Sequence, residues 1–420
     1  MRIIFANRYF FPDQSATSRM VSSLAFALAA EGIEVTALAS RHFHDRQEVR
    51  LPARETIEGV DVRRIWTSSF GRSGVAGRAA DYATFHLSAA AWWLSHTRRG
   101  DICVVCTDPP LLSVTAAGPV RLRGGRMVNW VMDLFPETAM ELGMLPREGL
   151  LGALTLRLRN RSLDRADLTI SPIAAMTRYL SERSSDPQRF VTVHHWSNGE
   201  EIRPVPPAEN PLRREWGLEG AFVVGYSGNF GRAHEFATLI GAAERLQDHP
   251  DIRFLLIGQG KQHTAVRKEA ARRGLRNVIF KPFQPSEVLA QSLSAADLHI
   301  VSLLPALEYC IVPSKFYGVL AAGRPAIFIG DENGEVATLL RKGACGETVS
   351  PGDAEGLAAA ILRLKSSPVL CQTMGERARR LLESDFTLPH GVARWRNAVA
   401  PLLPQNHQSR AASLPLGAGT

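Results

Sequence analysis

The feature that most constrains the fold is an alternation of short apolar strands with helical segments, which runs through the chain twice. In the first half we predict strands at 2–6, 34–39, 60–65, 102–106, 127–131 and 168–171, and a first helix over 18–31. Strands that alternate with helices form parallel βαβ units and a doubly wound sheet. Because such sheets bind ligands at the carboxyl ends of their strands, the loops after the strands are the candidates for function.

A proline-rich segment, Pro204–Pro211, interrupts the alternation and is predicted to be a semi-rigid linker. Beyond it we predict strands at 222–226, 253–257, 278–280, 298–301 and 326–328, and helices at 236–246, 263–273, 286–296, 316–322, 368–383 and 392–403. The predicted fold is α/β, with two doubly wound, Rossmann-like domains and a cleft between them. Residues 1–204 form the first domain and 205–388 the second. Residues 389–404 form a helix that crosses back, and 405–420 a disordered tail.

The length of the chain agrees with a division into two domains, and its net charge limits the classes of partner that it is expected to bind. A chain of 420 residues is too long for one ordinary core. Its net charge of +8 is compatible with nucleic acid, anionic lipid or a phosphate-bearing substrate. The aromatic residues are not interleaved with the basic ones as a base-stacking surface requires, so no nucleic-acid partner is expected.

The location is predicted from the first residues, the apolar runs and the cysteines. The chain begins directly as a strand, so no signal peptide is expected. No run reaches the roughly 18 apolar residues that a membrane span needs. Five scattered cysteines indicate a reducing compartment. We therefore expect a cytoplasmic protein, either free or peripheral on the inner face of the cell membrane.

Three segments of the second half carry the candidate chemistry. In Val224–His234 a strand runs into a glycine loop, where Gly228 and Gly231 let backbone amides approach an anion, and Arg232 and His234 add charge. In Leu255–Lys261 a second strand runs into Gly258, Gly260 and the cation Lys261. A single G-x-G is weak evidence. Two such loops on consecutive strands are stronger, because both open at one sheet edge.

The third segment is Tyr309–Pro325. Ser314 is predicted to cap a helix that stops at Gly323, with Pro325 after it. This places Ser314, Lys315 and free backbone amides at a helix N-terminus, where the helix dipole and the Lys315 charge favour a diphosphate. The alternative is a structural cap with a solvated lysine.

These segments resemble family 4 retaining glycosyltransferases of the GT-B fold. The residues that carry the resemblance are Tyr226–His234, Leu256–Lys261 and Pro313–Pro325 in the second half, and Tyr9–Asp13, Asp108–Pro110 and Val131–Glu137 in the first. The resemblance covers roughly Met1 to Leu403. The subgroup that it most resembles builds bacterial cell-surface polysaccharides, and is similar to colanic-acid and O-antigen fucosyl- or N-acetylfucosaminyl-transferases.

The resemblance implies transfer of a sugar from a UDP- or GDP-sugar with retention at the anomeric carbon, and without a metal ion or cofactor. It assigns the acceptor to the first domain and the donor to the second. The implied catalytic residues are Asp133, Arg232 and Lys315. The implied donor contacts are Ser15, Thr17, Gly228, Gly231, His234, Gly258, Lys261, Phe283, Ser314, Gly318 and Val319.

The chain departs from the family at two carboxylates. Many members carry two glutamates eight positions apart, the second of which binds the nucleotide ribose. Cys310 and Gly318 occupy those places here. Glu308 lies near the first place but out of register, and Glu332 or Glu335 could substitute.

The first half supplies the expected acceptor side. Asp133 follows a predicted strand at its carboxyl end and could orient the acceptor hydroxyl or accept its proton. A basic apolar stretch, 150–161, is predicted to form a membrane-facing patch with Trp92, Trp93 and the nearby arginines, which suits a polyprenyl-diphosphate-linked acceptor. The alternatives are a transferase acting on a soluble small molecule, a nucleotide-sugar epimerase, and a non-catalytic nucleotide-sugar binding protein.

Overall fold

The computed structural model describes residues 2–46, 48–71 and 74–403. These residues form two compact units, each built on its own sheet. The first unit contains residues 2–194 and 389–403 together with Cys310–Val312, and the second contains His195–Tyr309 and Pro313–Leu388. The predicted tail over 405–420 lies outside the described residues.

The strands and helices of the first unit alternate along the chain. Its strands are β1 (Arg2–Ala6), β2 (Glu34–Ser40), β3 (Arg54–Ile57), β4 (Val60–Ile65), β5 (Ile102–Cys106), β6 (Arg126–Trp130), β7 (Leu168–Ser171) and β8 (Phe190–Thr192). Its helices are α1 (Ala16–Ala30), α2 (Val75–His96), α3 (Leu112–Leu122), α4 (Glu137–Glu141), α5 (Leu150–Arg165) and α6 (Ala174–Ser181).

The second unit repeats the alternation. Its strands are β9 (Phe222–Ser227), β10 (Ile252–Ile257), β11 (Val278–Lys281), β12 (Leu298–Ser302), β13 (Ala326–Ile329) and β14 (Gly346–Val349). Its helices are α7 (Pro211–Glu215), α8 (Ala237–Arg245), α9 (His263–Arg272), α10 (Leu289–Ser294), α11 (Lys315–Ala321), α12 (Glu335–Gly343), α13 (Ala354–Ser366) and α14 (Pro368–Asp385). The final helix, α15 (Leu388–Val399), enters the first unit at residue 389.

The two sheets confirm the predicted pair of doubly wound α/β folds. The strand order is β3-β4-β2-β1-β5-β6-β7-β8 in the first unit and β11-β10-β9-β12-β13-β14 in the second. The strands pair in parallel except for β3, which runs antiparallel to β4. Central strands such as β5 are buried along their whole length, as expected where helices cover both faces of a parallel sheet.

The sequence analysis missed the strands β3, β8 and β14. β3 alternates between exposed and half-buried residues, and every residue of β8 and β14 is only half-buried. All three lie at sheet edges. An edge strand lacks the continuous apolar run by which buried parallel strands are recognised.

Aromatic side chains fix α15 to the first sheet. The ring of Trp395 lies 5.6 Å from that of Phe5 and 6.0 Å from that of Trp130. The opposite face of the sheet buries Trp93, which has no exposed surface, against α3. The prediction that Trp93 belongs to a membrane-facing patch is therefore wrong, because this side chain belongs to the core.

The segment predicted to be a linker packs against the second unit. The Val205 amide donates to Ser294 Oγ at 3.0 Å, and Asn210 Nδ2 donates to the Gln291 carbonyl at 2.7 Å. The Asn210 side chain also caps α7 by accepting from the Leu212 amide. These bonds fix the segment in place, so it does not act as a spacer.

Two further observations concern the cysteines and the length of the apolar helices. Cys103 and Cys106 are buried on β5, and burial raises the pKa of Cys103 to about 12. Among the described residues, no helix is long and apolar enough to cross a bilayer.

Candidate functional site

The first two glycine loops lie side by side at the carboxyl ends of β9 and β10. These strands are parallel neighbours, with Ser227 opposite Ile257. The Gly228 amide donates to the Ile257 carbonyl at 2.9 Å, and the Phe230 amide donates to the Gln259 carbonyl at 2.8 Å. The structure thus brings 228–234 and 258–261 together at one sheet edge.

Gly258 and Gly260 are required by this contact between the loops. A Cβ atom on Gly258 would lie 1.9 Å from the Gly228 carbonyl oxygen, and one on Gly260 would lie 2.3 Å from Asn229 Oδ1. Both residues have a positive φ, +140° and +146°, a conformation that glycine adopts without steric cost. Gly258 therefore also supports the first loop through this contact.

Gly228 makes room for the side chain of Lys315. It has φ +151°, and a Cβ atom there would lie 3.1 Å from Lys315 Cε and 3.3 Å from its Nζ. The third segment therefore joins the first, although the two are far apart in sequence. Gly231 lies farther along the same loop, where a Cβ would meet the Asn229 side chain at 3.3 Å.

Two side chains hold the Lys315 ammonium. Its Nζ donates to Tyr226 Oη at 2.6 Å and lies 3.3 Å from His234 Nε2. The ammonium is also 4.1 Å from the centre of the Tyr226 ring, within cation–π range. Tyr226 Oη in turn donates to the Asn229 carbonyl at 2.8 Å. We call Tyr226, His234 and Lys315 the lysine cradle.

His234 is neutral within the lysine cradle. Its Nδ1 lies 2.6 Å from the Ser302 carbonyl, which assigns the proton to Nδ1 and leaves the Nε2 lone pair facing the ammonium. Burial, aided by the Lys315 charge, lowers the pKa of His234 to about 3. The prediction that His234 adds positive charge is therefore wrong, because the residue accepts a hydrogen bond from the cation.

Burial lowers the pKa of Lys315 to about 7, although solvent still reaches part of the residue. No other cause contributes to this shift, so no carboxylate among the described residues offsets the cost of burying the charge. An anion that reached the ammonium would supply the missing charge partner. The lysine cradle therefore has the electrostatics of an anion site.

The helix after the first loop does not offer its N-terminus to a ligand. The Glu235 carboxylate accepts from the Thr238 amide at 3.0 and 3.1 Å, and so occupies the start of α8. The start of α8 is therefore not available to bind an anion. Arg232 and Lys261 lie on the two glycine loops and are exposed to solvent, where a ligand can reach them.

α11 places its residues differently from the prediction. Ser314 has helical torsion angles and makes no capping bond with its side chain, so its predicted role as an N-cap is wrong. Val319 is 2% exposed and packs in the core, so its side chain cannot contact a donor. Gly318 is half-buried within the helix, and a Cβ there would make an ordinary 3.5 Å contact with Leu293.

A large aromatic side chain is exposed beyond β11. Phe283 has 52% of its surface open to solvent. Lys281, two residues earlier, places its ammonium 5.3 Å from the centre of the Trp216 ring. Phe283 is therefore open to contact with a ligand.

Carboxylates gather near the positions of the missing glutamate pair. A Cβ atom on Gly334 would lie 2.5 Å from the Glu308 carboxylate, so that carboxylate lies against the start of α12. Burial and the nearby Asp331 and Glu335 raise the pKa of Glu308 to about 7. Glu332 is exposed. The sequence indicated Glu308 and Glu335, whereas Asp331 was missed because only the fold brings it beside them.

Cys310 itself belongs to the first unit. It is completely buried, and its carbonyl accepts from the Leu134 amide at 2.9 Å. A thiol in this position cannot take the part that a glutamate plays in ribose binding. No group of three or more potential metal-ligating side chains is arranged around a metal position in the described part of the chain.

The first unit contains the remaining predicted residues. Asp133 is an exposed residue beyond β6 and lines a small pocket. Desolvation of its carboxyl group by the surrounding protein raises its pKa, and a hydrogen bond with Thr107 partly offsets this shift. Ser15 Oγ donates to Asp13 Oδ1 at 2.5 Å. Thr17 was predicted to lie in a loop, but it is in the first turn of α1.

Two family models match the chain. A model described as "Glycosyl transferase 4-like domain" matches residues 15–196, within the first unit apart from its last two residues, and a model described as "Glycosyl transferases group 1" matches residues 221–367, nearly all within the second. The site built around the lysine cradle lies inside the second match.

Curated relatives and a solved structure agree with these matches. The chain is 25% identical over 314 residues to the "Probable glycosyltransferase WbjE" of Pseudomonas aeruginosa, covering 74% of this chain and 77% of the relative. It is 24% identical over 404 residues to the "Putative colanic acid biosynthesis glycosyl transferase WcaI" of Escherichia coli K12, covering 92% and 98%. HepE of Anabaena, solved in complex with UDP and glucose, superposes with a TM-score of 0.73 at 15% identity, covering 96% and 100%.

Proposed function

The chain is a glycosyltransferase of the GT-B fold, and we propose that it transfers a sugar from a UDP- or GDP-sugar to a polyprenyl-diphosphate-linked saccharide. The name of WcaI, a putative colanic acid biosynthesis glycosyl transferase, supports a role in polysaccharide synthesis. The UDP bound by HepE supports a nucleoside diphosphate donor. The transfer of a fucosyl or N-acetylfucosaminyl group remains the prediction of the sequence resemblance.

The observation that carries the proposal is the Lys315 ammonium, which is held against the Gly228 loop and has no carboxylate partner in the described part of the chain. When the sugar leaves, the diphosphate gains negative charge. A cation already in place stabilises that charge as it develops, which lowers the barrier. Arg232 and Lys261 add charge from the neighbouring loops. We propose that these side chains allow transfer with retention and without a metal ion.

In the first unit we propose that Asp133 acts on the acceptor. The raised pKa of its carboxyl group brings proton exchange closer to neutral pH. A carboxylate of this kind can orient the acceptor hydroxyl and accept its proton. Phe283 would stack on the nucleotide base. Glu308 would bind the ribose in place of the glutamate that this chain lacks.

The proposal is tested by incubating the purified protein with a panel of UDP- and GDP-sugars and a polyprenyl-diphosphate-linked sugar. Mass spectrometry of the lipid fraction detects a transferred sugar. Epimerised donor without transfer would support an epimerase. A donor that binds but stays unchanged with every lipid-linked and soluble acceptor would support a binding protein.

Donor binding is expected to weaken as the pH rises from 7 to 9. The free Lys315 has a pKa of about 7, and a bound diphosphate raises it, so binding takes up a proton in this range. Uptake of one proton lowers the affinity by up to about tenfold per pH unit. Titration calorimetry measures this with a nucleotide sugar, whose diphosphate diester does not titrate there. The pKa of His234, about 3, keeps that group out of the window. Affinity that stays constant from pH 7 to 9 would contradict this assignment.

A lipid-linked acceptor is supported by an exposed apolar surface on α5. Leu150, Leu151, Leu154 and Leu158 are 92%, 62%, 53% and 37% exposed, and we call them the leucine face. Arg157, Arg161 and Arg165 are exposed beside them. Leucines that enter the lipid boundary next to arginines that meet anionic headgroups are typical of interfacial helices.

Vesicles that contain anionic lipid are expected to bind the protein at low salt and to release it as salt screens the arginines. Flotation of the double variant Leu150→Ser/Leu154→Ser should fall strongly. Val369→Ser on α14 is the control, because Val369 is 77% exposed in the second unit. If the double variant floats as well as the parent protein, the leucine face is not the contact.

A further inference from the structure

The first unit has a small pocket at the carboxyl ends of β5 and β6. Its walls are mostly apolar side chains from these strands, from the start of α3 and from α5. The enclosed space is about 30 Å³, room for about two water-sized groups. Asp133 lies in the lining of the same pocket.

A buried carboxamide within this pocket has no partner. Asn129 is 2% exposed, and neither its Oδ1 nor its Nδ2 makes a hydrogen bond to any residue that the structure describes. Its neighbours in the sheet register are Val105 and Thr169, and it faces the same side of the sheet as Met127, two residues earlier. A buried donor or acceptor left unpaired is costly, because the group has lost its hydrogen bonds to water, so this carboxamide is matched to something that enters the pocket.

The charges around the pocket favour a neutral group. Arg159 also lines it, and its Nη1 has no partner. The same guanidinium, however, is paired with Glu137 through Nη2, so the two charges balance. Asp133 at the lining adds negative charge whenever it is ionised. A carboxylate or phosphate ligand would therefore gain little from this pocket.

We propose that the pocket binds the acetamido group of an N-acetylated amino sugar, which is the sugar of the acceptor that receives the transferred residue. The carbonyl oxygen and the methyl group of an acetyl are two water-sized groups. Asn129 Nδ2 donates to the acetyl carbonyl oxygen, while Leu111, Leu112 and Val131, which also line the pocket, cover the methyl.

This proposal rests on the proposed function and makes it more specific. An acetamido group anchored among these residues keeps its sugar ring at the mouth of the pocket. Because Asp133 lines the same pocket, a ring hydroxyl then lies beside the carboxyl group that we assign to the acceptor. The pocket would therefore select the acceptor and also orient it.

Saturation-transfer NMR tests the pocket without any transfer reaction. The probes are methyl N-acetyl-β-glucosaminide and methyl β-glucoside, added to the full-length protein. We expect the acetyl methyl protons to receive the strongest saturation. Asn129→Leu should weaken binding of the N-acetyl sugar roughly tenfold and leave the glucoside unchanged. Asn129→Asp, which keeps the shape, is the second variant should the leucine variant fail to fold.

Thr169→Val is the matched control, because Thr169 is also buried with an unpartnered hydroxyl, on the neighbouring strand, but does not line the pocket. Its sugar preference should equal that of the parent protein. Equal binding of the two sugars, or a preference that survives both Asn129 variants, would mean that the pocket holds ordered water only. Selective acetyl binding without transfer from any donor would leave the pocket assigned and overturn the proposed function.

Discussion

Replacing Lys315 with methionine is expected to lower the rate of sugar transfer by about 10²–10³-fold. Methionine keeps much of the length and apolar character of the side chain but removes the charge that faces the leaving diphosphate. The ammonium is half-buried and is held by Tyr226 and His234, so water cannot reproduce its position. Steady-state kinetics with the donor selected by the panel measure the effect, which should appear in kcat and also as a higher KM for the donor, because the same charge holds the bound diphosphate.

Two further variants separate the charge of Lys315 from its position. Tyr226→Phe removes the hydroxyl that accepts from Nζ, and we expect a smaller loss of about three- to tenfold. Lys268→Met, an exposed lysine on α9, is the control and should transfer sugar at the parent rate. If the Lys315 variant keeps its kcat, the diphosphate is stabilised elsewhere.

Replacing Gly258 with alanine is expected to destabilise the second unit by about 2–4 kcal/mol and to abolish donor binding. The added Cβ would lie 1.9 Å from the Gly228 carbonyl oxygen. The first loop would have to move, and the room that Gly228 makes for Lys315 would be lost with it. Urea unfolding measures the stability, and the rise in Tm on adding the donor measures binding.

Gly274→Ala is the control for this prediction. Gly274 also has a positive φ, +69°, but nothing lies within 4 Å of a Cβ placed there. It should therefore show only the backbone cost, about 1–2 kcal/mol, with donor binding retained. Equal effects of the two substitutions would mean that the contact between the loops does not matter.

The sequence was sufficient to predict most of the fold because the buried strands are continuous apolar runs. β5, with all five residues buried, was placed at its observed bounds. Edge strands such as β3 and β8 carry no such run and were missed. The single helix predicted over 286–296 is divided into a 3₁₀ turn, Ser286–Val288, and α10.

The candidate site was predictable where its chemistry lies in one segment. The glycine loops and Lys315 were predicted because each belongs to a short motif of the sequence. The neutral state of His234 depends on its burial beside Lys315, and the role of Gly258 depends on Gly228 in the loop after the neighbouring strand. Contacts between strands decide what a residue does, and the spacing of a motif does not contain them.

The burial of the thiols has a practical consequence. All five cysteines are buried thiols, and burial raises the pKa of Cys103, Cys106, Cys345 and Cys371. A thiol that stays protonated and enclosed reacts slowly with maleimide. Cysteines introduced at exposed Leu122 in the first unit and Val369 in the second could therefore be labelled without removing the native ones. Spin labels or fluorophores at those two positions would measure how the distance between the two halves of this enzyme changes when a donor binds.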